Sequence, residues 1–206
     1  MSNYTTPQET FWAETIGQAY MDHNKFEPSI RRSVRKEFYD LFEDLDKNSK
    51  VLEIGCNLGT NLAILHNMGF NNLNGVEIFK GAAEEAKKNV PSANITLGTA
   101  LNLPYKNEEF DIVFTSGVLI HQHPSKGGLQ QFIGEMVRVS NKFIIGLEDY
   151  HSTFLPTSVY RGEKERHWRG PYADAIKISF PDLKLTHKSR MDHWNNFPRE
   201  QYIFEK

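Results

Sequence analysis

The chain has 206 residues, 39% apolar and 24% charged, with a formal net charge of −2. That balance suits one domain with its own core and gives no electrostatic reason to expect nucleic acid as a partner. A lone cysteine, Cys56, excludes an internal disulfide and fits a cytoplasmic protein. No apolar run approaches the ~20 residues that cross a bilayer, and the opening MSNYTTPQET lacks a signal-peptide pattern.

In chain order, Thr6 and Pro7 open a predicted helix that runs to about His23, and a second spans Pro28 to Leu45, with Phe38, Leu41, Phe42 and Leu45 at helical intervals. Strand and helix patterns then alternate. The expected strands are Lys50–Gly55, Asn72–Glu77, Asn94–Leu97, Phe110–Thr115 and Lys142–Leu147, with two more near Leu183–Lys188 and Gln201–Phe204. Helices are expected over Gly59–Met68, Phe79–Asn89, Leu129–Val139 and Tyr172–Ile178. This alternation predicts an α/β fold: a Rossmann-like, doubly wound, mostly parallel seven-stranded sheet. A single domain is expected over residues 1–206, with 1–47 as a helical lid and 48–206 as the core.

The candidate functional residues cluster at the C-terminal ends of the predicted strands. Glu53-Ile54-Gly55-Cys56-Asn57-Leu58-Gly59 joins the first strand to its helix. Its glycines allow a sharp turn and close ligand approach, and the helix start offers backbone N–H groups. The spacing is not the dinucleotide G-x-G-x-x-G, which disfavours a nicotinamide-dependent oxidoreductase, and Glu53 suits an ammonium rather than a pyrophosphate. Glu77, eighteen positions beyond Gly59, suits ribose hydroxyls.

VLEIGCNLG followed by GVEI resembles motifs I and II of the class I S-adenosylmethionine-dependent methyltransferases. Gly98-Thr99-Ala100-Leu101-Asn102-Leu103-Pro104-Tyr105 resembles the family's G-D-A-x-x-L-P-F stretch, with Thr99 where aspartate is frequent. The resemblance implies S-adenosylmethionine (SAM) as methyl donor and S-adenosylhomocysteine (SAH) as product. It implies a donor site drawn from Glu53, Gly55, Asn57, Gly59, Glu77, Ile78, Thr99, Ala100, Leu101 and Ser116, with Tyr20 contributed by the lid.

A narrower resemblance, to methylases associated with pseudaminic acid biosynthesis, rests on Phe11-Trp12-Ala13-Glu14, on Ser116-Gly117-Val118-Leu119-Ile120-His121, and on Tyr160-Arg161-Gly162. It implies a small-molecule acceptor such as a sugar acid or nucleotide-sugar. His121 is the candidate base and Tyr150 a candidate catalytic and acceptor contact, while Tyr160 and Arg161 could bind an acceptor anion. Methyl transfer from a sulfonium requires no metal, and the histidines lack compact ligand spacing. A non-catalytic SAM-binding protein is the alternative from another class.

Overall fold

The computed structural model describes residues 4–191 and 197–206, so residues 1–3 of the expected lid lie outside the described residues. Their backbone falls into two compact units, residues 1–104 and 105–206.

The first unit opens with α1 (Pro7–Thr10), a π-helical turn (Phe11–Thr15) and α2 (Gly17–His23). The single predicted helix is thus interrupted at Ile16, next to Gly17. A Cβ on Gly17 would lie 2.5 Å from the Phe79 ring, so only glycine permits this approach. The second predicted helix is also broken, at Arg35, into α3 (Pro28–Val34) and α4 (Lys36–Asp40). Phe38, Tyr39 and Phe42 beyond that break are fully buried, and they account for its apolar periodicity.

Then β1 (Lys50–Ile54), α5 (Thr60–Asn67), β2 (Asn72–Glu77), α6 (Lys80–Asn89) and β3 (Asn94–Leu97) follow as two crossovers. The strands are parallel, in the order β3-β2-β1. The α6 helix buries Ala82, Ala83 and Ala86, and these small side chains let it pack closely.

In the second unit, β4 (Phe110–Ser116) pairs in parallel with β5 (Ser140–Asp149) across α7 (Gly128–Val139). Helix α7 buries Leu129, Phe132, Ile133, Met136 and Val139, the three-and-four spacing of one apolar face. After the two-residue strands β6 (Leu155–Pro156) and β7 (Trp168–Arg169) come α8 (Tyr172–Ser179), β8 (Lys184–Met191) and β9 (Arg199–Glu205). The last two strands are antiparallel, β9 lying between β5 and β8. The expected α/β class is what the protein adopts, with three parallel strands in the first unit and a parallel pair with an antiparallel finish in the second.

One boundary differs with consequence. Glu148 and Asp149, expected in the loop after the fifth strand, belong to β5, because they pair with Glu200 and Arg199 of β9.

Candidate functional site

In the first unit, the turn after β1 is tied to β2 through its backbone. The N–H groups of Gly55 and Cys56 both donate to the Val76 carbonyl, at 2.8 and 3.1 Å. Gly55, Asn57 and Gly59 all have left-handed φ angles (73°, 46° and 78°). A Cβ on Gly59 would stand 2.9 Å from Val90, so this glycine serves close packing against α6 as well as the turn.

Glu53 is 1% exposed. One of its oxygens accepts a short hydrogen bond from the Asn61 amide of α5, whose own oxygen accepts the Tyr39 hydroxyl at 2.6 Å. The other oxygen, Oε2, is buried with no partner in the protein, as is Oδ1 of Asn57. Burial pushes the Glu53 carboxyl up to about 8, against the opposing pull of Asn61. Burial also raises the Glu77 carboxyl, opposed by its backbone hydrogen bonds. Its two oxygens accept the N–H groups of Phe79 and Asn57, each at 2.9 Å, and each oxygen keeps a lone pair for a further donor.

Ile78 follows Glu77 directly, and its carbonyl accepts the Tyr4 hydroxyl at 3.4 Å. Thr99, past β3, donates its hydroxyl to Glu9 and accepts the N–H of Leu101. Ala100 is half-buried and Leu101 buried. Tyr20 packs edge-on to Trp12, with ring centres 4.9 Å apart.

Buried orphan acceptors beside a glycine turn, next to a second carboxylate, fit a ligand carrying an ammonium and vicinal hydroxyls. The residues present therefore suit an adenosyl amino-acid cofactor.

In the second unit, Ser116 closes β4 and Gly117 donates its N–H to Leu147 at 2.8 Å. The single-turn 3-10 helix Leu119–His121 is held from below by Glu148, which accepts the N–H groups of Val118 and Ile120 at 3.0 and 3.4 Å. Burial raises the Glu148 carboxyl to about 7.

His121 is buried, with Nδ1 2.9 Å from the Arg166 carbonyl. A carbonyl only accepts, so the proton sits on Nδ1 and the lone pair on Nε2. Burial, reinforced by His167, drives the His121 pKa down to about 3, although the Arg166 bond opposes it. The imidazole is therefore neutral at physiological pH.

Tyr160 stacks on His167 at 5.0 Å and lies 5.4 Å from His121, with Arg161 flanking its ring at 5.7 Å. His167 bonds Asp149 through Nε2 at 3.1 Å and Thr157 through Nδ1 at 2.6 Å. Arg199 donates to the second oxygen of Asp149 at 2.7 Å.

His121, Tyr160 and Arg161 are thus brought together, and Tyr150 is engaged elsewhere. The Tyr150 hydroxyl accepts from Arg190 at 2.6 Å, with that guanidinium 3.9 Å over its ring. From sequence, Glu148 and Asp149 stand just past the fifth expected strand, among polar residues of which one could touch an acceptor, whereas nothing in the sequence signals Asn61. His167 lies in the run Tyr160–Trp168, whose mixture of Arg161, Glu163, Lys164, Glu165 and Arg166 reads from sequence as an exposed charged loop. Among the described residues no cluster of three metal-ligating side chains occurs, and no helix is long and apolar enough to cross a membrane.

Residues 52–142 match the family model described as a methyltransferase domain. An uncharacterized methyltransferase of Synechocystis is 32% identical over 133 residues, 61% of this chain and 61% of its own. The chain therefore spans about three-fifths of that relative's length. Among solved structures, the magnesium protoporphyrin IX methyltransferase of Synechocystis with bound SAH superposes with a TM-score of 0.69 at 15% identity, covering 96% of this chain and 98% of that one. A protein of Pyrococcus horikoshii gives 0.66 at 16% identity, covering 95% of each chain. At such identities the likeness shows the fold, a Rossmann-like α/β architecture.

Proposed function

We propose that this chain is a SAM-dependent methyltransferase acting on a small-molecule acceptor. The observation that carries the reading is the buried, unpartnered Glu53 Oε2 beside the left-handed Gly55–Gly59 turn. The match of residues 52–142 to a methyltransferase domain supports it. A carboxyl held near neutrality by burial becomes a carboxylate when an ammonium arrives, and Glu53 is so poised for the donor's amino acid group. Glu77 takes the ribose hydroxyls, Ile78 and Thr99–Leu101 flank the adenine, Asn57 lines the site, and Tyr20 belongs to the lid.

The second unit serves the acceptor. A bound donor would supply its methyl group to an acceptor hydroxyl and leave as SAH, and Nε2 of His121 would take the hydroxyl's proton. An alkylated oxygen is a strong acid, so even a base weakened by burial takes that proton. Arg161, exposed beside Tyr160, offers a planar fork to a carboxylate or phosphate. This favours a sugar acid or nucleotide-sugar, and the pseudaminic acid link rests on the motif resemblance alone. Tyr150 acts through its partner Arg190 at the periphery of that site. A cytoplasmic location accords with the lone buried thiol of Cys56.

Calorimetric titration with SAM, SAH and NAD tests the reading. Binding of the two adenosyl compounds without NAD is expected. Failure of both to bind the folded protein would remove the donor site.

A further inference from the structure

Helix α1 is one turn long and carries a capping box, with the Thr6 side chain accepting the Glu9 N–H and the Glu9 carboxylate accepting the Thr6 N–H. That motif occupies one carboxylate oxygen. Oε2 of Glu9 takes the N–H groups of Thr5 and Thr6 at 2.8 and 2.9 Å, and both hydroxyls at 3.0 and 3.1 Å. Oε1 does something the cap does not require. It accepts the hydroxyl of Thr99, ninety positions away in the loop after β3.

Thr99 has thereby committed its one hydroxyl proton, and its hydroxyl oxygen accepts the Leu101 N–H at 3.1 Å. The loop itself, Thr99-Ala100-Leu101, holds no acid. The N-terminal segment delivers one, hydrogen-bonded to the side chain at the position where the family stretch frequently has aspartate. The same segment is pinned to the residues after β2, through Tyr4 to the Ile78 carbonyl and through Gly17 against Phe79. Glu9 is 4% exposed. Burial alone would raise its pKa, yet the bonds from Thr99, Thr5 and Thr6 prevail and hold the carboxyl below the usual range. It is an acceptor with no proton to give.

We propose that Glu9 is the carboxylate that reads the donor's adenine, its Oε1 accepting from the exocyclic amino group in place of a strand-end aspartate. This rests on the donor reading above. An acceptor-only group favours a 6-amino purine, whose edge donates, over a 6-oxo purine, whose edge accepts.

The test compares SAH with its 6-oxo analogue, S-inosylhomocysteine, by calorimetry. The unaltered protein should prefer SAH by about ten- to a hundred-fold, the scale of a hydrogen bond to a charged group. Glu9→Gln should shrink that ratio to about twofold or below, since the amide can donate to the 6-oxo group. Glu9→Gln combined with Thr99→Asp should restore it, a rescue that a purely structural cap does not permit. Thr99→Val, which keeps the capping box and removes the tether to the loop, should also lower the ratio, and it stands in should Glu9→Gln fail to fold. SAH binding with a ratio unchanged in Glu9→Gln, or in Thr99→Val where only that variant folds, would overturn the assignment. A protein that binds neither compound would overturn the donor reading itself.

Discussion

Asp149 divides its carboxylate between two buried partners, His167 at 3.1 Å and Arg199 at 2.7 Å. The side chains of all three are about a tenth exposed or less. The pair anchors the segment carrying Tyr160 and Arg161 to the end of β5. Burial works against the Asp149 charge, but His167 and Arg199 prevail and its carboxyl lies below the usual range. Asp149→Asn is expected to destabilise the fold by about 3 kcal/mol, the scale for breaking a buried ion pair. A lowered carboxyl pKa stabilises above the unfolded-state value and is lost as pH falls through the folded one. The stability gap between the original and Asp149→Asn proteins should thus be full at neutral pH and narrow below about pH 4. Chemical denaturation at several pH values measures it, and a constant gap would contradict the pairing.

Glu53 should behave in the opposite sense. Its carboxyl titrates near 8 when folded, and near 4 in an unfolded chain, so the folded state holds the extra proton between those values. Stability of the ligand-free protein should fall as pH rises from about 5 to 8, and Glu53→Gln should flatten that slope. SAM binding should expel the proton, making the calorimetric enthalpy depend on the buffer's ionisation heat at pH 7. No buffer dependence in the original protein would refute the ammonium role.

The features legible in the sequence are those a short window contains. The Glu53–Gly59 turn, Glu77 at a strand end and the apolar face of α7 are set by local periodicity and turn chemistry. The remainder required partners far apart in the chain. Nothing near Asp149 announces His167 or Arg199, and nothing near Glu9 announces Thr99. Glu148 and Asp149 look like loop residues until β9 pairs with them. The breaks at Ile16 and Arg35 leave helical spacing intact on both sides, so periodicity alone runs straight through them.

Gly59 offers a test of packing apart from ligand chemistry. Its left-handed φ costs an alanine roughly 1 kcal/mol, and the added methyl would meet Val90 at 2.9 Å. Gly127 has a similar φ of 85° with nothing within 4 Å of the new atom. Both alanine variants should lower the melting temperature, Gly59→Ala by several degrees more, at about 2–4 °C per kcal/mol for a chain this long. Equal losses would mean that α5 and α6 tolerate the methyl.

His121 is assigned the acceptor's proton, so its replacement should affect turnover and spare the donor. With an acceptor in hand, His121→Ala should lower kcat by about 10²-fold or more and leave SAH affinity unchanged. Arg161→Ala should raise KM for an anionic acceptor and spare SAH likewise. Full turnover in His121→Ala would reduce that histidine to holding the Arg166 carbonyl.

Glu77 has two roles that must be separated, since its carboxylate supports the Asn57 and Phe79 N–H groups as well as the proposed ribose contact. Glu77→Ala should weaken SAH by about ten- to a hundred-fold, the scale of hydrogen bonds to a charged group. Loss of backbone support alone could produce the same figure. The discriminating probe is SAH lacking its 2′ and 3′ hydroxyls. The original protein should bind this analogue less tightly than SAH, whereas Glu77→Ala should bind both alike, because the carboxylate and the hydroxyls act as one pair in a double-mutant cycle. If the analogue is penalised equally in both proteins, Glu77 shapes the turn and the ribose is held by something else.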